Sequence, residues 1–169
     1  MPRFSDPEPL GGEHQLAGFN CGVNAMDAWL VRYAGQAAGV GSARTYVIVD
    51  RDQSRVVGYH ALTAASIGHE TATARVRKGM PRYPIPGVLL ARLAVDRSVQ
   101  GLGLGAFLLR DAMTRAFAAS EEIGARVLLV HAIDERARQF YERFGFEPSP
   151  VGDLNLQLPI KDIRASLGP

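Results

Sequence analysis

A strand, a short polar link and a glycine-rich turn that opens a long helix follow one another in the middle of this chain. The run reads Leu93-Ala94-Val95-Asp96-Arg97-Ser98-Val99-Gln100-Gly101-Leu102-Gly103-Leu104-Gly105. The free N–H groups and the positive dipole end of a helix start bind anionic phosphate. Glycines there let the backbone approach the anion closely. The segment therefore predicts an α/β protein that holds a phosphate-bearing cofactor.

Two well-known phosphate loops fit this segment poorly. The ATP-type loop requires Lys followed by Ser or Thr after its last glycine, but Ala106 and Phe107 follow Gly105. The dinucleotide loop requires the spacing G-x-G-x-x-G, and the three glycines here are one spacing short. Both readings are disfavoured, and a glycine-rich turn without a ligand stays as an alternative.

A third pattern, Gln/Arg-x-x-Gly-x-Gly/Ala, fits residues 100–105 in full. It resembles the pyrophosphate-binding motif of the GNAT family of N-acetyltransferases, which bind acetyl-CoA as a co-substrate. The resemblance implies that the backbone of Gln100, Gly101, Leu102, Gly103, Leu104 and Gly105 holds the pyrophosphate. It also implies that the strand Leu93, Ala94 and Val95 lines the pantetheine arm through backbone groups.

The remaining elements agree with that fold. Hydrophobic spacing and turn residues predict an edge strand near Glu13–Ala17, a helix from Val23 to Gly39, a hairpin of Arg44–Val49 with Arg55–Ile67, a strand Gly87–Val95, a helix Gly103–Gly124, a strand Arg126–Ile133, a helix capped by Asp134 and ended by Gly145, and short strands near Phe146 and Leu154–Leu158. This order predicts an α/β protein with a mixed central sheet flanked by helices. It is also the order of the GNAT acyl-CoA N-acyltransferase fold.

Composition favours a single domain over residues 1–169. The 169 residues are 47% hydrophobic, and no apolar run reaches the length of a membrane span. Cys21 is the one cysteine, which excludes an intrachain disulfide and a cysteine-rich metal site. No signal pattern opens the sequence. We therefore expect a cytoplasmic protein with no membrane partner and no metal.

The helix after the fifth strand carries a second GNAT-like pattern. Residues 140–146 read Phe140-Tyr141-Glu142-Arg143-Phe144-Gly145-Phe146, which matches Phe-Tyr-x-x-x-Gly-Phe. The resemblance implies that Tyr141 protonates the leaving thiolate of CoA and that Phe140 packs beside the cofactor. A phenol with a pKa near 10 is protonated at pH 7 and can donate that proton. The alternative is that Tyr141 is only a core aromatic.

A general base is less evident. The candidates are His60, His69, His131 and Glu135. An α-amine titrates near 8 and is partly neutral at pH 7, whereas a lysine amine near 10.4 would need a base. The lack of a convincing base therefore favours an α-amino substrate. Cys21 is interpreted as a small buried residue, and Trp29 as a side chain packed against the sheet.

Further segments resemble the GNAT toxins of type II toxin–antitoxin modules that acetylate aminoacyl-tRNA. They are Pro7–Leu10, Asp27–Leu30, Ala43–Val47, Arg77–Pro81, Pro84–Pro86, Leu90–Asp96 and Val130–Ala132. The resemblance implies acetylation of the α-amine of aminoacyl-tRNA, which blocks translation. It implies a homodimer, a ribbon-helix-helix antitoxin, and contact with DNA only through that antitoxin.

Positive charge concentrates between His69 and Arg92, where Glu70 is the one acid. The basic side chains are Arg75, Arg77, Lys78, Arg82 and Arg92, and they are predicted to bind tRNA phosphates. Tyr83 can stack on a base. A solvated basic loop is the alternative for this stretch. For the whole chain, the alternatives are an acetyltransferase of a small amine or protein N-terminus and a non-catalytic acyl-CoA-binding module.

Overall fold

A computed structural model describes residues 2–167 of the chain. Its strands are β1 (Glu8–Pro9), β2 (Arg44–Asp50), β3 (Arg55–Ile67), β4 (Ile85–Val95), β5 (Val127–His131), β6 (Glu147–Ser149) and β7 (Gly152–Pro159). Its α-helices are α1 (Asn24–Arg32), α2 (Ala34–Val40), α3 (Ala74–Arg77), α4 (Leu104–Glu122), α5 (Glu135–Glu142) and α6 (Ile163–Leu167). Short 3-10 helices cover His69–Thr71, Arg97–Val99 and Ile160–Asp162.

The strands form one mixed seven-stranded sheet in the order β1-β2-β3-β4-β5-β7-β6. β1 with β2, β2 with β3, β5 with β7 and β6 with β7 are antiparallel. β4 and β5 are parallel, and their ladder pairs Gly87–Leu90 with Val127–Val130. The prediction of a mixed sheet flanked by helices is confirmed.

Three predicted elements differ from the structure. No strand forms at Glu13–Ala17, because Gly11 and Gly12 turn the chain and the edge strand is the two-residue β1. The single helix predicted from Val23 to Gly39 is two helices with Tyr33 between them. The stretch 68–86, expected to lack regular structure, contains the 3-10 helix His69–Thr71 and α3.

Two compact units share the described chain. The first holds the residues up to Thr63 together with Ala91–Ala112, and the second holds Ala64–Leu90 together with the residues from Met113 onward. β3, β4 and α4 each contribute residues to both units. Within residues 2–167, no helix combines the length and the apolar character needed to cross a membrane.

Each unit has a core of its own. One cluster of the first unit joins α1 to the sheet through Phe19, Leu30, Val47, Val56, Tyr59 and Ala94, and another joins α4 to it through Ile48, Val57, Val99, Leu104 and Leu108. In the second unit, Ala72 and Val76 pack with Ile85, Val127 and Leu129. That last cluster seats α3 on the sheet.

Candidate functional site

The glycine turn before α4 presents a row of unused backbone donors. Gly101 and Gly103 have φ of 84° and 86°, the left-handed region that favours glycine. The N–H groups from Gly101 to Ala106 make no hydrogen bond within residues 2–167, and the first bonded amide is that of Phe107, to Gly103. Such a row at a helix start suits an anion. The predicted pyrophosphate loop therefore has the geometry that its chemistry needs.

Asp96 fixes the start of this turn. Its carboxylate accepts hydrogen bonds from the N–H of Asn20 at 2.9 Å, from the N–H of Ser98 at 3.0 Å and from Nη1 of Arg55 at 3.1 Å. Burial alone would raise the pKa of Asp96, but these donors outweigh it and hold the pKa well below its usual range. Asp96 is thus a buried, charged anchor for the turn.

Gln100 closes the same turn with its side chain. Its amide nitrogen donates to the carbonyl of Val95 at 2.9 Å and to the carbonyl of Cys21 at 3.1 Å. The side chain of this predicted cofactor-binding residue therefore braces the loop. Its contribution toward an anion is the rigidity of the backbone that follows it.

The predicted pantetheine strand is the last part of β4. Ala94 is buried in the cluster that contains Tyr59, while Leu93 and Val95 pack against the cluster that contains Leu108. Both faces of the strand are covered, so its remaining capacity to bind lies along its backbone edges. The β4–β5 ladder ends at Leu90, before this segment begins.

Tyr141 lies in an aromatic cluster of the second unit. Its ring packs edge-to-face on Phe140 at 5.2 Å and on Phe146 at 5.7 Å, and Phe140 also contacts Phe144 at 5.4 Å. Tyr141 is 7% exposed, and burial raises its pKa above the usual value. Among residues 2–167 its hydroxyl has no hydrogen-bond partner. It is a protonated phenol whose O–H donates no hydrogen bond within the described residues.

The helix that carries Tyr141 begins as the sequence predicts. The Oδ1 of Asp134 accepts a hydrogen bond from the N–H of Ala137 at 2.8 Å, which caps α5. At the other end, Gly145 has φ of 95° and its N–H donates to the carbonyl of Glu142. These two ends fix the position of Tyr141 along the helix.

The predicted tRNA-binding residues divide into three kinds. Arg77, Lys78 and Arg82 are exposed and make no salt bridge within residues 2–167. Arg75 instead donates to Glu147 at 3.0 Å and to Asp162. Arg92, in the first unit, stacks its guanidinium on Trp29 at 4.8 Å. Tyr83 is 72% exposed, as a base-stacking side chain must be.

Two further candidates have settled surroundings. His60 is fully buried, its Nε2 lies 2.7 Å from Oδ2 of Asp111, and its ring stacks on Tyr46, which indicates a structural role. Cys21 is half-buried, and burial together with Asp27 raises the pKa of its thiol to about 11. A thiol with that pKa is a weak nucleophile at pH 7. The described residues contain no cluster suited to a metal ion.

Some functional residues carry no signal that sequence reasoning used. Asp96 could have been found, because Asp two residues before Ser is a common turn-initiating pattern. Arg126 could not, since it donates to carbonyl groups from a distant part of the chain. Glu147 and Asp162, the partners of Arg75, also lie far from it in sequence, at separations of 72 and 87 residues.

Comparison with known proteins agrees with this geometry. The family model described as an acetyltransferase (GNAT) domain matches residues 41–148. A relative from Mycobacterium tuberculosis, named tRNA-acetylating toxin, is 44% identical over 168 residues, which is 99% of each protein.

Two solved structures are similar over nearly the whole chain. AtaT complexed with acetyl-methionyl-tRNAfMet has a TM-score of 0.86 at 30% identity, covering 95% of this chain and 96% of that one. A tyrosine-to-phenylalanine mutant of the AtaT toxin, bound to the C-terminus of the antitoxin AtaR and acetyl-CoA, has a TM-score of 0.81 at 30% identity, covering 96% of each.

Fold and site together define an acyl-CoA-dependent acetyltransferase. The chain belongs to the GNAT acetyltransferase family. The predicted fold and the predicted resemblance to GNAT toxins are confirmed.

Proposed function

We propose that this protein is a toxin that transfers the acetyl group of acetyl-CoA to the α-amine of aminoacyl-tRNA and thereby blocks translation. The observation that carries the proposal is the row of unbonded N–H groups from Gly101 to Ala106. It occurs in a chain whose 44% identical relative is named tRNA-acetylating toxin. Acetylation removes the nucleophilic amine that peptide-bond formation requires.

The first unit holds acetyl-CoA in this proposal. The pyrophosphate accepts hydrogen bonds from the N–H groups after Gln100, and the pantetheine arm lies along Leu93, Ala94 and Val95. Asp96 and Gln100 hold the loop in its binding conformation before the ligand arrives, which lowers the entropic cost of binding.

Tyr141 acts as the general acid. The neutral α-amine attacks the thioester carbonyl carbon, a C–N bond forms and the C–S bond breaks. The phenol of Tyr141 donates its proton to the departing sulfur, the amine gives up a proton to solvent, and solvent then returns a proton to the Tyr141 phenolate. The raised pKa of Tyr141 keeps the phenol protonated across the neutral range, so its proton is available for transfer to the sulfur.

The basic side chains of the second unit bind tRNA in the same account. Arg77, Lys78 and Arg82 are exposed and make no salt bridge within the described chain, so binding a phosphate breaks no existing ion pair. Arg92, which belongs to the first unit, is proposed to add a positive charge for the acceptor end of the tRNA. Arg75 is predicted from the sequence to bind phosphate as well, but its side chain already pairs with Glu147 and Asp162.

Partners and context follow from this substrate. We infer a homodimer that a ribbon-helix-helix antitoxin neutralises, with DNA contact only through the antitoxin. The antitoxin partner is supported by the similar AtaT toxin, which is bound to the C-terminus of its antitoxin AtaR. Charged tRNA as substrate implies a cytoplasmic location, and residues 1–169 act as one GNAT domain.

The direct test is transfer from labelled acetyl-CoA to a pool of charged tRNA, with Tyr141→Phe as the comparison. Label on wild-type reactions and its loss in the variant support the substrate and the acid. Label in both removes Tyr141 from its role. Acetyl-CoA binding without label on charged tRNA contradicts the toxin and directs the search to small amines and protein N-termini.

A further inference from the structure

We propose that Arg75 and Arg126 are positioning residues, which hold the turn at Arg77 and Lys78 in the orientation that tRNA requires. This inference rests on the proposed function. It changes the predicted role of Arg75 from a phosphate ligand to a brace, and it gives a role to Arg126.

Arg126 holds the C-terminal end of α3. Its Nε donates to the carbonyl of Val76 at 2.9 Å, and its Nη2 donates to the carbonyls of Lys78 at 3.1 Å and Arg75 at 3.3 Å. These are the carbonyls that a helix end leaves without partners, and a cation there also stabilises the helix dipole. One planar guanidinium thus fixes the backbone from which Arg77 and Lys78 project.

Arg126 is itself fixed in the sheet. Its N–H donates to the carbonyl of Pro86 at 2.8 Å, and its carbonyl accepts from the N–H of Ile160 at 2.9 Å. It directly precedes β5, whose first four residues are buried. The Arg126 guanidinium therefore anchors the end of α3 to the sheet.

Arg75 provides a second attachment, from the side-chain surface of α3. Its two terminal nitrogens bind Glu147, the first residue of β6, and Asp162, at the end of the last 3-10 helix. The hydrogen bonds that Arg75 donates to these carboxylates raise its pKa. Both terminal nitrogens of Arg75 are thus engaged by carboxylates, so a nucleic-acid phosphate could bind Arg75 only by displacing these ion pairs.

The start of α3 is held by buried polar groups. Gln157, 2% exposed, accepts from the N–H of Thr73 at 2.9 Å and donates to the carbonyl of Thr71 at 2.8 Å. The Thr73 hydroxyl caps the helix by accepting from the N–H of Val76. α3 has only four residues and is too short to be stable alone. Its conformation therefore depends on these attachments.

Lysine substitutions separate a brace from a phosphate ligand. Arg75→Lys and Arg126→Lys keep the charge but lose the fork that reaches two or three acceptors. We expect each to raise the KM for charged tRNA about fivefold, with kcat and the KM for acetyl-CoA unchanged. Arg32→Lys, an exposed position on α1, is the matched control and changes neither constant.

Glu147→Gln gives opposite signs under the two roles. If Arg75 is a brace, the loss of its partner loosens the turn and raises the KM for charged tRNA. If Arg75 binds phosphate, removal of a competing carboxylate lowers that KM. A lower KM in Glu147→Gln, or a wild-type KM in Arg75→Lys, overturns the proposal.

A double-substitution background completes the test. In a protein carrying Arg77→Ala and Lys78→Ala, the turn no longer has the two cations that Arg75 is proposed to position. Arg75→Lys should therefore raise the KM for charged tRNA no further. An additive loss contradicts the proposal. If the wild-type protein acetylates no charged tRNA, the proposed function fails separately. Amide hydrogen exchange at residues 74–79 then decides, since it accelerates in Arg126→Lys if Arg126 holds the turn and is unchanged if it does not.

Discussion

The anion-binding turn of the first unit and the basic turn of the second are built in different ways. Between Gly101 and Ala106 the proposed binding groups are backbone N–H groups, and two left-handed glycines set their direction. At Arg77 and Lys78 the binding groups are side chains, and other side chains set their direction. One turn depends on local conformation and the other on contacts from distant parts of the chain.

This difference predicts how each turn responds to mutation. A backbone site tolerates changes of side chain but not changes of φ, because its chemistry is present in every residue. A side-chain site tolerates changes of backbone only while its braces hold. Each prediction below alters one of these dependencies.

The largest effect is expected at Tyr141, which adds chemistry to the second unit. Tyr141→Phe should lower kcat for acetylation of charged tRNA by a factor of about 100 or more. It should leave the KM for acetyl-CoA unchanged, because the proposed proton transfer occurs only as the C–S bond breaks and the substitution removes no hydrogen bond within residues 2–167. Burial raises the pKa of Tyr141, so the acid stays protonated, and the wild-type rate should not fall between pH 7 and pH 9.

Steady-state rates over that pH range check both statements. Tyr33→Phe, at a half-exposed tyrosine between α1 and α2, serves as the control and should keep the wild-type rate. A rate that falls as the pH rises toward 9, and falls identically in wild type and Tyr141→Phe, would place the titrating acid elsewhere.

Asp96 tests whether the first turn is preorganised. Asp96→Ala removes a buried charge and leaves Arg55 and two N–H groups without their acceptor. The free energy of unfolding should fall by about 3 kcal/mol. The folded pKa of Asp96 lies below its unfolded value, so its stabilisation is present above pH 4 and is lost as the pH falls through the folded pKa.

Urea titrations of both proteins at pH 7 and near pH 3 measure this difference. The gap in stability between wild type and Asp96→Ala should narrow at the lower pH. Equal gaps at the two pH values would show that Asp96 is not an ionised anchor.

Gly103 sharpens the backbone half of the comparison. A Cβ at Gly103 meets no atom within 4 Å, so Gly103→Ala adds no clash and acts only through its φ of 86°. The left-handed conformation costs alanine roughly 1–2 kcal/mol, and the Kd for acetyl-CoA should rise about tenfold. Isothermal titration with acetyl-CoA measures it directly.

Gly39→Ala is the matched control for that substitution. A Cβ at Gly39 also meets no atom within 4 Å, but Gly39 lies within α2 and has no positive φ. Its acetyl-CoA affinity should equal that of the wild type. An equal loss of acetyl-CoA affinity in both variants would mean that the left-handed φ of Gly103 does not contribute to acetyl-CoA binding.

Arg77 gives the smallest single effect and sharpens the side-chain half. Arg77→Ala removes one exposed cation, so the affinity for charged tRNA should fall several-fold. The slope of log affinity against log salt should become shallower by about 0.7–0.9 for the lost phosphate contact. Binding measured at several salt concentrations decides, and an unchanged slope would exclude a phosphate contact at Arg77.

The same contrast explains what the sequence could predict. The glycine turn, the Asp134 cap and the Tyr141 pattern depend on residues close together in sequence, and the structure shows the expected local conformations. The mixed sheet followed from the order of elements. The predicted strand at Glu13–Ala17 was wrong because turns at residues 12–13 and 17–18 leave only three residues between them, and of these Gln15 accepts a backbone hydrogen bond from Val56 without forming a ladder.

The second turn was only half predictable. Its cations were evident from composition, but α3 and its braces were not. Arg126 contacts carbonyls about fifty residues away, and Arg75 reaches an acid 87 residues away. No local pattern distinguishes a braced arginine from an exposed one, so Arg75 was grouped with Arg77 and Lys78.

Two-substrate kinetics on Gly103→Ala and Arg77→Ala, in one assay with acetyl-CoA and charged tRNA, test whether the two substrates bind at separate turns. We expect Gly103→Ala to raise only the KM for acetyl-CoA and Arg77→Ala to raise only the KM for charged tRNA. If either variant raises both constants, or if the two variants exchange their effects, the assignment of the acetyl-CoA site to the first turn and the tRNA site to the second is contradicted.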